Sequence, residues 1–172
     1  MLLLSSCSTS QQASTTAVNA GGGASPQSVT EGFFSDLGKA LQDPNLAQEN
    51  NRSLWVERLS AYFAPNERSD QRVILNDSLS SFARDRAQLG ADETLSIEIS
   101  LGNEKELEVI DQGDKALVLL PNAKISIQLS RVTKDGIVPY YEQPIELGRL
   151  TGRADQSIPT IRIGNFWYLT EG

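Results

Sequence analysis

The sequence contains no histidine and only one cysteine, Cys7. Without histidine, the chain can form neither a Ser-His-Asp or Cys-His catalytic group nor a histidine-ligated zinc site. It also lacks the side chain that titrates most readily near neutral pH. A lone cysteine excludes an intramolecular disulfide, so the fold must depend on its hydrophobic core.

Positive charge is also scarce, because 15 Lys and Arg face 22 Asp and Glu, for a net charge of −7. Nucleic-acid binding requires clustered Lys and Arg, so no nucleic-acid partner is expected. An anionic membrane surface would be repelled by the same charge. Every charged residue lies within residues 31–172, so the first thirty residues form a chemically different segment.

A short motif surrounds the cysteine near the start of the chain. Leu4-Ser5-Ser6-Cys7 resembles the bacterial lipobox, in which a leucine and two small residues precede the cysteine that is lipidated. The resemblance implies a lipoprotein in which the thiol of Cys7 carries diacylglycerol and anchors the chain to a bilayer. Residues 1–6 are too short and lack the basic residue of a complete signal peptide, so we expect them to be its residual end. The alternative is an unmodified cysteine in a disordered tail.

Residues 7–27 consist mainly of Ser, Thr, Gln, Ala and Gly. Such a segment cannot bury enough apolar surface to offset the entropy of ordering, so it is predicted to be a flexible tether. The folded domain is expected over residues 28–172. The lipidated cysteine and the tether predict an extracytoplasmic protein held at the cell membrane or outer membrane.

Three helices are predicted at the start of the folded region. Ser28 and Glu31 fit an N-terminal capping box, with Ser28 as the N-cap. Apolar residues then recur at helical spacing, and further helices are predicted over about 53–64 and about 69–89. After residue 93 the apolar period shortens to two, which is typical of strands.

About six successive strands follow, separated by turn dipeptides such as Asp135-Gly136 and Gly164-Asn165. Short turns between consecutive strands predict an antiparallel, strongly bent sheet. Helices grouped before a meander of strands predict an α+β fold, in which about three N-terminal helices pack on that sheet.

This order of elements resembles the nuclear transport factor 2-like superfamily over residues 28–172. The closing Gly164-Asn165-Phe166-Trp167-Tyr168-Leu169 is similar to the last strand of that superfamily, which bears a tryptophan. The resemblance implies a cone-shaped domain like that of small export lipoproteins with no assigned activity. It also implies a ligand pocket at the mouth of the cone and a homodimer through the open sheet face. A cystatin-type fold is the alternative.

The last strand has an unusual pattern. A two-residue turn at Gly164-Asn165 places Trp167 and Leu169 on one face of the hairpin that it closes. The residues on the other face are Ile161, Ile163, Phe166 and Tyr168. Because both faces are then apolar, the strand is expected either to be central and covered on both sides or to contact a partner with its outer face.

Aromatic residues are the candidates for lining the pocket, although packing in the core is their simpler role. These candidates are Trp55, Tyr62, Phe63, Tyr140, Tyr141, Trp167 and Tyr168. Three arginines around a long irregular stretch between the last strands are candidates for contact with a partner, the simpler interpretation being a solvated loop. They are Arg149, Arg153 and Arg162.

Enzymes of the superfamily often pair an Asp with His or Tyr, and only the pairing with Tyr is chemically feasible here. No Asp or Tyr matches a catalytic motif, so no catalytic residue is expected. Glu104, Glu106 and Glu108 alternate as on a solvated strand face, and no calcium loop is present. Neither a metal nor a cofactor is therefore expected.

The sequence predicts a membrane-tethered lipoprotein whose domain is a non-catalytic module that binds a protein partner or assists envelope assembly. The alternative is a protein that binds a small apolar ligand in the pocket of the cone. An enzyme of isomerase or dehydratase type is the least favoured of the three hypotheses.

Overall fold

The computed structural model describes residues 21–102 and 107–172. The described helices are α1 (Pro26–Gln42), α2 (Glu49–Ser60), α3 (Arg68–Ala87) and the helical turn α4 (Leu147–Leu150). The described strands are β1 (Glu93–Ser100), β2 (Val109–Asp111), β3 (Lys115–Leu119), β4 (Lys124–Thr133), β5 (Gly136–Glu146), β6 (Ser157–Ile163) and β7 (Phe166–Leu169). The predicted α+β class, with three helices before the strands, is confirmed.

The N-cap of helix α1 lies three residues before the predicted N-cap. The side chain of Ser25 accepts the backbone N–H of Ser28, and the hydroxyl of Ser28 accepts the backbone N–H of Ser25. Pro26 follows the cap, at the position where its fixed φ suits a helix and its missing N–H costs nothing. Ser25 is therefore the N-cap, and the assignment of that role to Ser28 is wrong, because Ser28 supplies the reciprocal half of the same capping box.

The strands form two antiparallel sheets, so the prediction of a single, strongly bent sheet is wrong. The three-stranded sheet has the order β1-β4-β5, and the four-stranded sheet has the order β2-β3-β6-β7. The reason is that β3 pairs with β6, from Lys115 opposite Ile161 to Leu119 opposite Ser157. The β4–β5 hairpin, which lies between these two strands in the sequence, belongs to the other sheet. Neither sheet is strongly curled, and the expected cone is not confirmed.

The core lies where α1 crosses both sheets. This helix packs on β1 of the three-stranded sheet and on β3, β6 and β7 of the four-stranded sheet. Its residues Val29 and Phe33 join Val118 and Leu120 in one buried cluster. Helices α2 and α3 pack against each other and contribute the buried Leu59 and other apolar residues to the same cluster.

Strand β7 lies at the margin of the four-stranded sheet, but the chain itself closes its free edge. Gly23 exchanges two backbone hydrogen bonds with Trp167, each with an N–O distance of 2.8 Å. Further along β7, the backbone N–H of Leu169 donates to the carbonyl of Tyr62, and the carbonyl of Leu169 accepts the N–H of Ala64, each at 2.9 Å. Residues 21–25, which the sequence assigns to the tether, therefore pack against the domain.

Candidate functional site

The structure does not gather the seven aromatic candidates around one cavity. Phe63 lines the groove between helices and sheets, whereas Trp55 and Tyr62 border shallow pockets beside α2. Tyr140 and Tyr141 are exposed on β5, Trp167 is in the core, and Tyr168 is buried on the opposite face of β7.

A groove of about 750 Å³ opens between α1, α3 and the two sheets. Its walls are largely apolar, with Phe34 and Leu37 on one side and Ile158 and Leu169 on the other. Polar groups lie at its rim, where the Nε2 of Gln71 donates to Glu171 at 2.6 Å. The groove is of the general kind expected between helices and a sheet, although only one predicted aromatic residue lines it.

Asp36 on α1 is the one charged side chain that is buried among the described residues. Its carboxylate accepts two hydrogen bonds from the guanidinium of Arg58, at 2.6 and 2.9 Å. The hydroxyl of Tyr62 donates to it at 2.7 Å, and the ammonium of Lys39 donates at 3.1 Å. The carboxylate thus joins α1 to α2 and to the segment that follows α2.

The pKa values of Asp36 and Tyr62 favour a structural role for this cluster. Burial alone raises the pKa of Asp36, but the hydrogen bonds from Arg58, Tyr62 and Lys39 outweigh burial and lower it below its ordinary value. Burial and the hydrogen bond to Asp36 raise the pKa of Tyr62 to about 12. A general acid or base works best with a pKa near the operating pH, and both of these groups move away from it.

The spacing of residues on α1 indicates that Asp36 is buried, which the sequence-based prediction of site residues missed. Val29, Phe33, Asp36 and Ala40 are spaced at intervals of four, three and four residues, so they lie on one face of α1. The other three positions are apolar and buried. A carboxylate on such a face must find buried hydrogen-bond donors, which here come from α2 and the segment after it.

The β4–β5 hairpin carries the largest group of exposed apolar side chains in the described part of the chain. Five of the eleven large apolar residues that are exposed there belong to it. They are Val132, Ile137, Val138, Tyr140 and Tyr141, which are between 44% and 67% exposed. Strand β5 pairs with β4 only, so its other edge has no partner strand among the described residues.

A β-bulge brings the two tyrosines of β5 to the same side of the sheet. Leu129 pairs with Tyr141 and the next residue of β4 pairs with Pro139, so Tyr140 is the additional residue. The hydroxyl of Tyr140 donates to Glu93 at 2.9 Å. Since the register places Glu93 and Tyr141 on one face, both aromatic rings lie there. The guanidinium of Arg131 lies 5.3 Å from the centre of the Tyr140 ring.

The four-stranded sheet has a second apolar surface, which we call the outer face. It is the face opposite the core. The register assigns to it two polar residues, Lys115 and Ser157, and eight apolar or aromatic residues, which are Ile110, Leu117, Leu119, Pro159, Ile161, Ile163, Phe166 and Tyr168. The pairs Ile161–Tyr168 and Ile163–Phe166 confirm the register predicted for the Gly164-Asn165 turn. Strand β7 is not central, so the first of the two expectations for this strand is wrong.

The candidate residues Arg153 and Arg162 both bond to residues of their own chain. The Nε of Arg153 donates to Ser157 at 3.0 Å and to Asp155 at 3.3 Å. Arg162 donates twice to one oxygen of Asp114, at 3.0 and 2.6 Å. Arg149 lies in α4, so the three residues do not share one loop.

The predicted lipid site Cys7 lies outside the described residues, as do Glu104 and Glu106. Within residues 21–102 and 107–172, no helix has both the length and the apolar character needed to cross a membrane. The same two ranges hold no group of three or more His, Cys, Asp or Glu residues suited to a metal ion. No family model, curated protein or solved structure matches the chain.

Proposed function

We propose that the protein is a lipid-anchored, extracytoplasmic module that binds a protein partner through the β4–β5 hairpin and catalyses no reaction. The motif Leu4-Ser5-Ser6-Cys7 supports the anchor. The single observation that carries the partner-binding role is the exposed apolar surface on one face of the hairpin at the sheet edge. Val138 and Tyr141 share that face, and the ring of Tyr140 lies there too. Clustered exposed apolar surface commonly marks a site of interaction with another protein.

Tyrosine is well suited to such a contact. Its ring offers a large area with only two rotatable side-chain bonds, so little entropy is lost on binding. In the free protein the ring of Tyr140 is already held by Glu93 and Arg131. Such preorganisation reduces the cost of ordering the surface when the partner arrives.

The contact uses side chains rather than continuous strand addition along β5. Pro139 and Pro144 lie within this strand and remove two backbone donors from it. A bulge and prolines are features that protect an exposed edge against pairing with another strand. The apolar side chains of the hairpin therefore form the binding surface.

The non-catalytic assignment is supported by the Asp36 cluster. The hydroxyl of Tyr62 donates to the buried carboxylate of Asp36 at 2.7 Å, and a pairing of Asp with Tyr is the kind of acid–base pair that remains feasible in a chain without histidine. Their pKa values nevertheless lie below and above the range in which such a pair transfers protons at neutral pH.

Photocrosslinking in native membranes tests the partner-binding role. A benzophenone amino acid replaces Tyr141 in one variant and Leu54 in a matched control, since Leu54 is an apolar residue of α2 that is 69% exposed. We expect a crosslinked product of one discrete mass from position 141 and none of that mass from position 54. Identical products from both positions, or no product from position 141, would contradict the proposal.

A second function, the binding of a small apolar ligand, is favoured by the groove of about 750 Å³ between the helices and the sheets. Ile74 of α3 lines this groove, whereas its neighbour Val73 does not. Dodecanol is expected to raise the melting temperature of the wild type and of Val73→Arg, but not that of Ile74→Arg. A flat response of the wild type would remove this candidate.

A further inference from the structure

The outer face of the four-stranded sheet departs from the usual pattern of a sheet covered on one side. Such sheets normally alternate apolar residues toward the core with polar residues toward water. In β3 the core-facing Ala116 and Val118 are buried, yet Leu117 and Leu119 on the outer face are apolar as well. The register also places the exposed Lys115 and the buried Ser157 there, but most of the side chains on this face are apolar.

Three side chains of the outer face are substantially open to solvent. Ile110 and Ile163 are each 41% exposed, and Phe166 is 49% exposed. Tyr168, on the same face, is buried because Gly22 packs on its ring and the guanidinium of Arg68 lies 5.5 Å from the ring centre. The open part of the face is thus its margin around the β6–β7 turn and β2.

The chain enters the domain beside this surface. A Cβ atom at Gly22 would lie 2.7 Å from a ring carbon of Tyr168, so the entering backbone passes directly beside the outer face. Thirteen residues separate Gly21 from Cys7. Even fully extended, they span at most about 50 Å at roughly 3.6 Å per residue. A lipid on Cys7 therefore keeps the domain within about 50 Å of the bilayer, with the outer face beside the point where the tether enters.

We infer that the outer face rests on the surface of a zwitterionic bilayer, with Ile110, Ile163 and Phe166 at the boundary of the acyl chains. This inference depends on the lipid anchor of the proposed function, but not on the hairpin or its protein partner. A weak contact is sufficient for a tethered domain, because the tether makes the contact intramolecular and the local concentration high.

The charge of the protein specifies the kind of bilayer. The net charge of −7 opposes contact with anionic lipids, whereas an uncharged surface meets the apolar margin without repulsion. The lipid headgroups that fit this surface are therefore zwitterionic, such as phosphatidylcholine or phosphatidylethanolamine.

The single cysteine allows a direct test with the full chain. Coupling Cys7 to a maleimide lipid in sparse phosphatidylcholine vesicles reproduces the tether without native lipidation. Hydroxyl-radical footprinting then compares the coupled chain with the free chain. We expect the oxidation of Phe166 to fall several-fold on coupling, while that of Leu54, an exposed apolar control, is unchanged. Replacing half the lipid with phosphatidylglycerol is expected to reverse much of this protection.

Four results would overturn the inference. Equal oxidation of Phe166 in the coupled and free chains would show that the face does not meet lipid. Protection already present in the free chain would show that the protein itself covers the face. Protection that grows with the surface density of the protein would identify a second copy as the occupant. Stronger protection on anionic vesicles would indicate an electrostatic contact instead.

The vesicles contain no other protein, so the footprint is independent of the crosslinking at Tyr141. A footprint without a crosslinked partner would leave the membrane contact standing and remove the protein partner. A crosslinked partner without a footprint would leave the protein partner standing and remove the membrane contact.

Discussion

The two sheets differ in the residues on the face that points away from the core. In β1 of the three-stranded sheet, Leu95, Ile97 and Ile99 face the helices, while the residues between them are polar and exposed. In the four-stranded sheet, apolar residues occupy both faces of β3, β6 and β7. The three-stranded sheet is thus suited to water on one face, and its unusual apolar surface is confined to the hairpin end. The four-stranded sheet carries its apolar surface across a whole face.

The largest expected effect is a difference in stability between substitutions on the two faces of β7. Replacing Trp167 with alanine removes a core side chain and should cost about 3–5 kcal/mol of unfolding free energy. The neighbouring Phe166 is 49% exposed on the outer face, so Phe166→Ala should change stability by less than about 1 kcal/mol. Urea unfolding of both variants measures the difference. Equal losses would mean that the outer face is packed like the core.

The next effect concerns the clamp between α1 and α2. Asp36→Asn should cost about 1–3 kcal/mol at neutral pH, because a buried carboxylate with four hydrogen bonds is lost. Asp77→Asn, at an exposed position of α3, is the matched control and should change little. Denaturant unfolding at pH 7 checks both. An unchanged unfolding free energy in Asp36→Asn would show that the cluster does not have this structural role.

The pH dependence of the same clamp has a definite sign. Since the folded state lowers the pKa of Asp36 below 3.8, it binds this proton more weakly than the unfolded state does. The stabilisation is therefore fully present above about pH 5 and is lost progressively as the pH falls through the unfolded and then the folded value. Unfolding curves between pH 3 and pH 6 should show a larger acid-dependent loss in the wild type than in Asp36→Asn. Parallel losses would contradict this account.

A smaller effect is expected where the chain enters beside the outer face. Gly22 and Gly113 both have positive φ angles, +78° and +84°, but an added Cβ would have neighbouring atoms within 4 Å only at Gly22. Alanine at either position should cost about 1–2 kcal/mol from backbone strain alone. The loss at Gly22 should be the larger one because of the contact with Tyr168. Thermal unfolding compares them, and equal losses would mean that the entering segment is not packed there.

The smallest effect on stability is expected at the hairpin. Val138 is 49% exposed, so Val138→Lys should change the unfolding free energy by no more than about 0.5 kcal/mol. Val138 lies on the same face of the hairpin as Tyr141, so the same change should remove the crosslinked product formed from position 141, whereas Leu54→Lys should retain it. Gel analysis of the crosslinked membranes provides the measurement. Retention of the product in Val138→Lys would place the partner elsewhere.

The elements that can be predicted correctly from the sequence are those set by short-range patterns. Helical spacing identifies three helices, and the two-residue turn determines the pairing of Ile163 with Phe166. The division into two sheets depends instead on pairs such as Leu117 with Pro159, far apart in the sequence. Periodicity does not reveal such non-local partners, so it places successive strands in one sheet.

The candidate sites are predicted less well for a related reason. Tyr62 is a predicted pocket aromatic, but its role depends on Asp36, 26 residues earlier in the sequence. That contact exists only because α1 and α2 pack together. Similarly, Tyr140 and Tyr141 are predicted to line one pocket, yet a bulge and the edge position of β5 leave them on the surface. Composition identifies the aromatic residues, and tertiary packing decides their environments.

The lipid anchor is the claim on which the location of both apolar surfaces depends. Intact-mass measurement of the protein purified from its native membrane tests this claim most directly. We predict a chain that begins at Cys7 and carries the added mass of a diacylglycerol, with or without a further acyl chain. A chain that retains residues 1–6, or an unmodified Cys7, would contradict the account.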